Sequence, residues 1–139
     1  MRKKIYVAAC SREKERVAGI YGQIAASSNL EVTFNWLAQI DAFDGTPEAQ
    51  MDPRTRKFCA EADEQAIERA DYLWLLAPSV GMTTRGAWFE LGYARRAYLA
   101  KCAPIILVSG PERFQTIFTE CAHRFFETDM DALVWLREQ

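Results

Sequence analysis

The chain alternates between short apolar runs and longer stretches in which apolar residues return every three or four positions. Runs suited to buried strands occur at 4–9 (KIYVAA), 30–36 (LEVTFNW), 72–78 (YLWLLAP) and 103–109 (APIILVS), with a weaker one at 123–127 (HRFFE). Helical periodicity fills the intervals over 13–27, 53–70, 86–100, 111–121 and 129–137. The second helix has a defined start, because Asp52 can cap it and Pro53 suits its first position. Strands that alternate with helices pair in parallel through crossovers. The expected fold is therefore α/β: a three-layer, doubly wound sheet of about five mainly parallel strands, flavodoxin- or Rossmann-like.

One long polar connection, DAFDGTPEAQMD at 41–52, leaves the carboxyl end of the second strand. In open parallel sheets ligands bind outside the carboxyl ends of the strands, where the strand order reverses. Three loops are thereby expected to meet: AACSR (8–12), the connection at 41–52, and APSVGMTTRG (77–86).

Composition narrows the picture. With 139 residues, half of them hydrophobic, the chain suits one domain over 1–139 with a sizeable core. A net charge of -2, with both signs dispersed, offers no basic stripe for a nucleic-acid polymer. The basic start MRKK precedes an apolar run that ends at Ser11, too short for a signal peptide, and no stretch approaches a membrane span. A cytoplasmic protein is expected. Cys10, Cys59, Cys102 and Cys121 form no CxxC pair, which predicts reduced, mostly buried thiols and no metal site.

Two acids interrupt apolar stripes. In the helix beginning near residue 86, Ala87, Leu91, Ala94 and Tyr98 share a face, and Glu90 falls within it. In the helix before the third strand, Asp63 stands four residues after Cys59 and four before Ile67, on the border of a stripe that includes Ala62, Ala66 and Ala70. An ionised carboxylate without partners is costly to bury, so each needs a partner, a route to solvent or a shifted pKa. A slight helix rotation would bring Glu90 to solvent. Alternatively, both acids face one cleft, where unequal burial separates their pKa values and lets one act as nucleophile and the other handle protons. Asp71, directly after its helix, suits a turn or capping role.

The ordered set of Asp63, seven intervening residues, Asp71, an apolar strand and then the ELGYA segment resembles the nucleoside 2-deoxyribosyltransferase superfamily, as does Tyr6 in the first strand. The resemblance covers about 4–12 and 63–110. It implies that Glu90 attacks C1′ of a nucleoside, that Tyr6 positions Glu90, and that Asp63 contacts the base or assists its protonation. It also implies a homodimer or higher homo-oligomer in which a neighbour's loop completes the pocket, with Thr116 in RFQTIF (113–118) as the polar contact.

One position departs from the transferase pattern. Six residues before Glu90, where those enzymes usually carry an aspartate for the sugar 5′-hydroxyl, this chain has Thr84. The related 5′-monophosphate N-glycosidases are similar here, with a hydroxyl residue at that position and an arginine past the first strand, matched by Arg12. Ser11, Arg12, Thr84 and Arg85 are accordingly candidates for a 5′-phosphate site, which a helix N-terminus would favour. Two surface arginines and a capping threonine would look the same, and AACSR lacks the glycine that often lets backbone approach a phosphate.

The remaining distinctive residues suggest structure. His123, the single histidine, has no metal-site or triad spacing around it. Trp74 and Trp135 suit the core; Trp36 and Trp88 lie nearer the pocket edge, where a base could stack, but core packing is the commoner use of tryptophan. No glycine-rich phosphate loop points to a cofactor. The expected activity is N-glycosidic bond cleavage in a nucleoside or nucleoside 5′-monophosphate, by hydrolysis or sugar transfer, with no cofactor. The alternative is a nucleotide-binding or sensing module without turnover.

Overall fold

The computed structural model describes residues 1–139. Five strands, β1 (Lys3–Ala8), β2 (Leu30–Val32), β3 (Tyr72–Leu76), β4 (Ile105–Ser109) and β5 (Arg124–Phe126), form one sheet. Its order is β2-β1-β3-β4-β5, and every pairing is parallel. This is the doubly wound arrangement in which connections depart in opposite directions from β1 and β3. The helices are α1 (Lys14–Ala25), α2 (Trp36–Ala42), α3 (Pro53–Glu68), α4 (Gly86–Lys101) and α5 (Asp129–Arg137). Arg137 of α5 donates to the Ser27 hydroxyl and the Gln23 side chain at the end of α1, so these two helices adjoin on one face. The α3 and α4 helices pack side by side on the other.

The central strands are buried on both faces, which explains their unbroken apolar runs. Tyr6 lies opposite Leu73, and Val7 opposite Trp74. The two-residue period sends Tyr6 toward α3 and α4 and sends Val7 and Trp74 toward α1 and α5. The Trp74 indole donates to Ser109 Oγ, and that hydroxyl donates to Asp129 on α5. Asp71 ties β1 to the end of α3 by accepting from the Lys4 amide at 2.8 Å, the turn role its position predicts.

Three expectations need correction. The second strand stops at Val32, because Asn35 accepts from the Ala38 amide and starts α2 within the span read as strand and polar loop. Trp36 is buried there, with its indole donating to the Val7 carbonyl at 2.8 Å, so of its two expected uses it takes core packing. The helix expected over 111–121 is reduced to turns and a 3-10 segment, Ile117–Cys121, which leaves Phe114, Ile117 and Phe118 exposed. Finally, all four cysteines are free, but only Cys10 is buried and Cys102 is exposed in a left-handed cap after α4. No helix is long and apolar enough to cross a membrane.

Candidate functional site

The α4 helix presents Ala87, Leu91, Ala94 and Ala97 to the core, and Glu90 emerges beside them. One step across the sheet face stands Tyr6, fully buried on β1. Its hydroxyl donates to Glu90 Oε1 at 2.7 Å. Asp63 reaches the same place from α3, whose Ala66 and Ile67 anchor it to the core. Its Oδ1 is buried with no hydrogen-bond partner. The three residues come from separate elements, brought together because β1 carries Tyr6 on the face that α3 and α4 cover.

The electrostatics follow from this crowding. Burial pushes the Glu90 carboxyl up from 4.5 to about 8, with the charges of Asp63 and Glu48 adding to the shift and the Tyr6 hydroxyl opposing it. Glu90 lies beneath much surrounding protein yet retains accessible surface. Burial also raises Asp63, to about 6, which Tyr6 opposes and Glu48 reinforces. The Tyr6 phenol is held well above its ordinary value, first by burial and then by both acids. Near neutrality the two carboxyls therefore hold about one proton between them.

Glu48 is a residue that sequence reasoning missed. It opens a 3-10 turn, Glu48–Gln50, in the connection between α2 and α3, near enough for its charge to reach both acids. Its place in the long polar connection at 41–52, expected to follow the second strand, was its one signal.

The residues expected at the substrate's 5′ end divide. Ser11 and Arg12 are exposed and line an open hollow of about 510 Å³ over the start of α1, together with Lys14, Arg16, Met82 and two acids, Glu13 and Glu15. The Cys10 thiol donates to the Thr83 carbonyl at 3.5 Å, which fastens the first loop to the β3–α4 connection. Thr84 and Arg85 are outside that lining. Thr84 is half-buried, and its hydroxyl accepts from the Ala87 amide at 3.4 Å as a cap. Arg85 is exposed at the helix start. Thr116 caps the 3-10 segment after β4, accepting from the Phe118 amide at 3.1 Å. Its hydrogen bonds are local and do not join it to Glu90.

A second polar cluster underlies the same rim. Arg16 donates to both Asp129 oxygens, at 2.7 and 2.9 Å, to the Ala77 carbonyl at the end of β3 at 2.7 Å, and to Glu13. Glu13, itself buried, accepts a hydrogen bond from the Ser79 hydroxyl. Gly110 just after β4 has φ +113, and a side chain there would also meet Arg16 at 3.1 Å. His123 is structural: its Nδ1 accepts from the Ile106 amide at 2.9 Å, and its ring abuts Tyr98. No three His, Cys, Asp or Glu side chains are grouped to hold a metal ion.

No family model matches the chain, and no curated protein matches it. Among solved structures it is similar to the CMP N-glycosidase BcmB of Clostridium botulinum, with a TM-score of 0.55 and 18% identity over 98% of this chain and 96% of that one. At that identity the likeness is one of fold, and it places this chain's parallel sheet and flanking helices in an architecture shared with an N-glycosidase.

Proposed function

We propose that this protein cleaves the N-glycosidic bond of a nucleoside or nucleoside 5′-monophosphate, with Glu90 as nucleophile. The observation that carries the reading is the Tyr6–Glu90 hydrogen bond with Asp63 beside it, at the place where open parallel sheets bind ligands. Fold likeness to a CMP N-glycosidase is consistent with it.

The proton count of the acid pair suits the chemistry. The reactive form carries its one proton on Asp63 and leaves Glu90 as the carboxylate; burial makes the reverse distribution the commoner one, and Tyr6 partly offsets this by donating to Glu90 and stabilising its charged form. Glu90 then bonds to C1′ as the C1′–N bond breaks, and the departing base takes the proton of Asp63. Water next attacks C1′, its proton passes to the Asp63 carboxylate, and Glu90 leaves. If a second base replaces the water, the same intermediate yields transfer. Ser11 and Arg12 are suited to hold a 5′-phosphate, with Thr84 and Arg85 at the start of α4 contributing if the loop moves toward them.

The loop after β4, with Phe114, Ile117 and Phe118 exposed, suits contact with a second copy, to whose site it would offer Thr116. A second reading, a nucleotide-binding module without turnover, is favoured by one observation: burial holds Glu90 largely protonated near neutrality, and a protonated carboxyl is no nucleophile.

The deciding experiment incubates the protein with ribonucleosides, deoxynucleosides and their 5′-monophosphates, with and without an acceptor base, and follows base release by chromatography. Release that depends on Glu90 supports the enzyme. Saturable nucleotide binding with no release supports the module.

A further inference from the structure

Arg16 is a strange residue to bury at the rim of a catalytic sheet. It stands in the first turn of α1, with a guanidinium side chain only 21% exposed, and it bonds to three pieces of chain while lying close to a fourth. Asp129 belongs to α5, Ala77 directly follows β3 and Glu13 precedes α1, while Gly110 after β4 is near the guanidinium without a hydrogen bond. The cluster extends outward from both carboxylates. Asp129 accepts from Ser109, which accepts from the Trp74 indole deep in the sheet. Glu13 accepts from Ser79, an exposed residue early in the β3–α4 loop.

This is more than a stabilising ion pair. Buried charge pairs stabilise little against an apolar alternative, because desolvation offsets the attraction. What such a pair supplies is direction: a planar guanidinium with bidentate and third-party bonds holds its partners at set distances. Here the held part is the loop from Ser79 to Arg85, which borders the hollow with Met82 and leads into the helix that bears Glu90.

We propose that Arg16, acting through Glu13 and Ser79, is a positioning residue for substrate specificity: it sets the gap between the first loop and the β3–α4 loop, and so the fit of a substrate's 5′-phosphate. This rests on the nucleotide reading given above. Ser11 and Arg12 approach the hollow from the α1 side and Met82 from the β3–α4 side, and the bond between Ser79 and Glu13 spans the two. A looser bond between them widens the site without touching the acid pair. Arg16 carries the loop's position, and Glu90, Asp63 and Tyr6 carry the chemistry.

The test uses Ser79→Ala, which removes one exposed hydroxyl and leaves the Arg16–Asp129 pair intact, beside Arg16→Lys, which keeps charge but loses the fork. Arg16→Ala is avoided because it would strand two carboxylates and invite unfolding. Amide hydrogen exchange over 79–85 is read first, then KM and kcat for a nucleoside 5′-monophosphate and for the free nucleoside. The expected result for Ser79→Ala is faster exchange confined to 79–85. Its KM for the monophosphate should rise about tenfold, with kcat held within about twofold and the nucleoside unaffected. Arg16→Lys should fall between wild type and a full loss. Unchanged exchange, or a fall in kcat at constant KM as partial unfolding would cause, overturns the proposal. If wild type binds nucleotide but releases no base, the enzyme reading fails alone, and monophosphate affinity by calorimetry takes the place of KM with the same tenfold criterion. If wild type binds neither monophosphate nor nucleoside, both fail.

Discussion

The Tyr6 hydroxyl donates to Glu90 Oε1 at 2.7 Å across 84 positions of sequence, from the buried half of β1 to a helix that covers it. The phenol sits at the base of the acid pair and cannot swing away, since the strand holds its ring. It is therefore a fixed donor whose one effect on Glu90 is to favour the ionised form against the burial that opposes it.

Tyr6→Phe isolates that effect. The substitution keeps the ring and removes only the hydroxyl, so the Glu90 carboxyl should rise further and its ionised fraction near neutrality should shrink. We expect kcat/KM to fall about 10- to 100-fold and the acidic limb of the pH profile to move to higher pH. Thermal melting should stay close to wild type. A profile that falls in height without moving would argue against the role given to Tyr6.

The acid pair predicts a bell-shaped dependence of kcat/KM on pH. Below about 6 both carboxyls are protonated and the nucleophile is lost; above about 8 both are ionised and the base leaves without a proton. The optimum should lie between these values. Asp63→Asn should remove the alkaline limb, because no acid remains to be lost, and reduce the rate about 10²- to 10⁴-fold. Measurement across pH 5 to 9 with a base of low basicity, which needs little protonation, should restore much of the variant's rate.

Glu90→Gln tests chemistry and linkage together. Activity should fall at least about a thousandfold while the protein stays folded. The folded-state value of about 8 exceeds the ordinary 4.5, so the folded protein retains a proton that the unfolded chain has released. This contribution to stability is complete below pH 4.5 and is lost as pH rises through 8. Melting followed from pH 5 to 8.5 should show the wild type losing stability relative to Glu90→Gln, with the variant ahead by on the order of 1 kcal/mol at the alkaline end. Parallel curves would mean that Glu90 is not held protonated.

Arg12→Ala addresses the 5′ end. Arg12 is exposed beside the hollow, so the variant should fold normally. Its affinity for monophosphates should drop about tenfold, as expected for one charge-assisted contact, while free nucleosides are hardly affected. Equal losses for both classes would remove Arg12 from the phosphate site.

The sheet and its order of elements were legible in the chain because strands buried on both faces leave unbroken apolar runs, such as YLWLL in β3. Glu90 was legible for the opposite reason, as an acid interrupting a helical stripe. Asp63 was legible in the same way, as an acid on the border of a stripe, whereas Tyr6 needed the resemblance, since a tyrosine in a buried strand is not unusual by itself. The α2 helix was missed because its seven residues carry a weak signal: Asn35 as cap, then Trp36, Leu37 and Ile40 on one face, directly after a β-branched run. The helix expected over 111–121 failed through the opposite error, apolar spacing in FQTIF that the loop leaves exposed. Arg16 gave no signal, because its partners Asp129 and Ala77 lie 113 and 61 positions away and only folding makes them neighbours.

Asp63 and Glu90 ride on α3 and α4, which pack side by side. Each helix buries small side chains in the core, Ala66 on one and Ala87 and Ala94 on the other, so its backbone sits close to what it covers. A bulkier residue at any of these sites would lift its helix and carry the carboxyl with it, changing the charge coupling that helps to raise Glu90. The protonation of the pair would drift with that shift, which makes the dry underside of these helices a tuning element for the acids they carry.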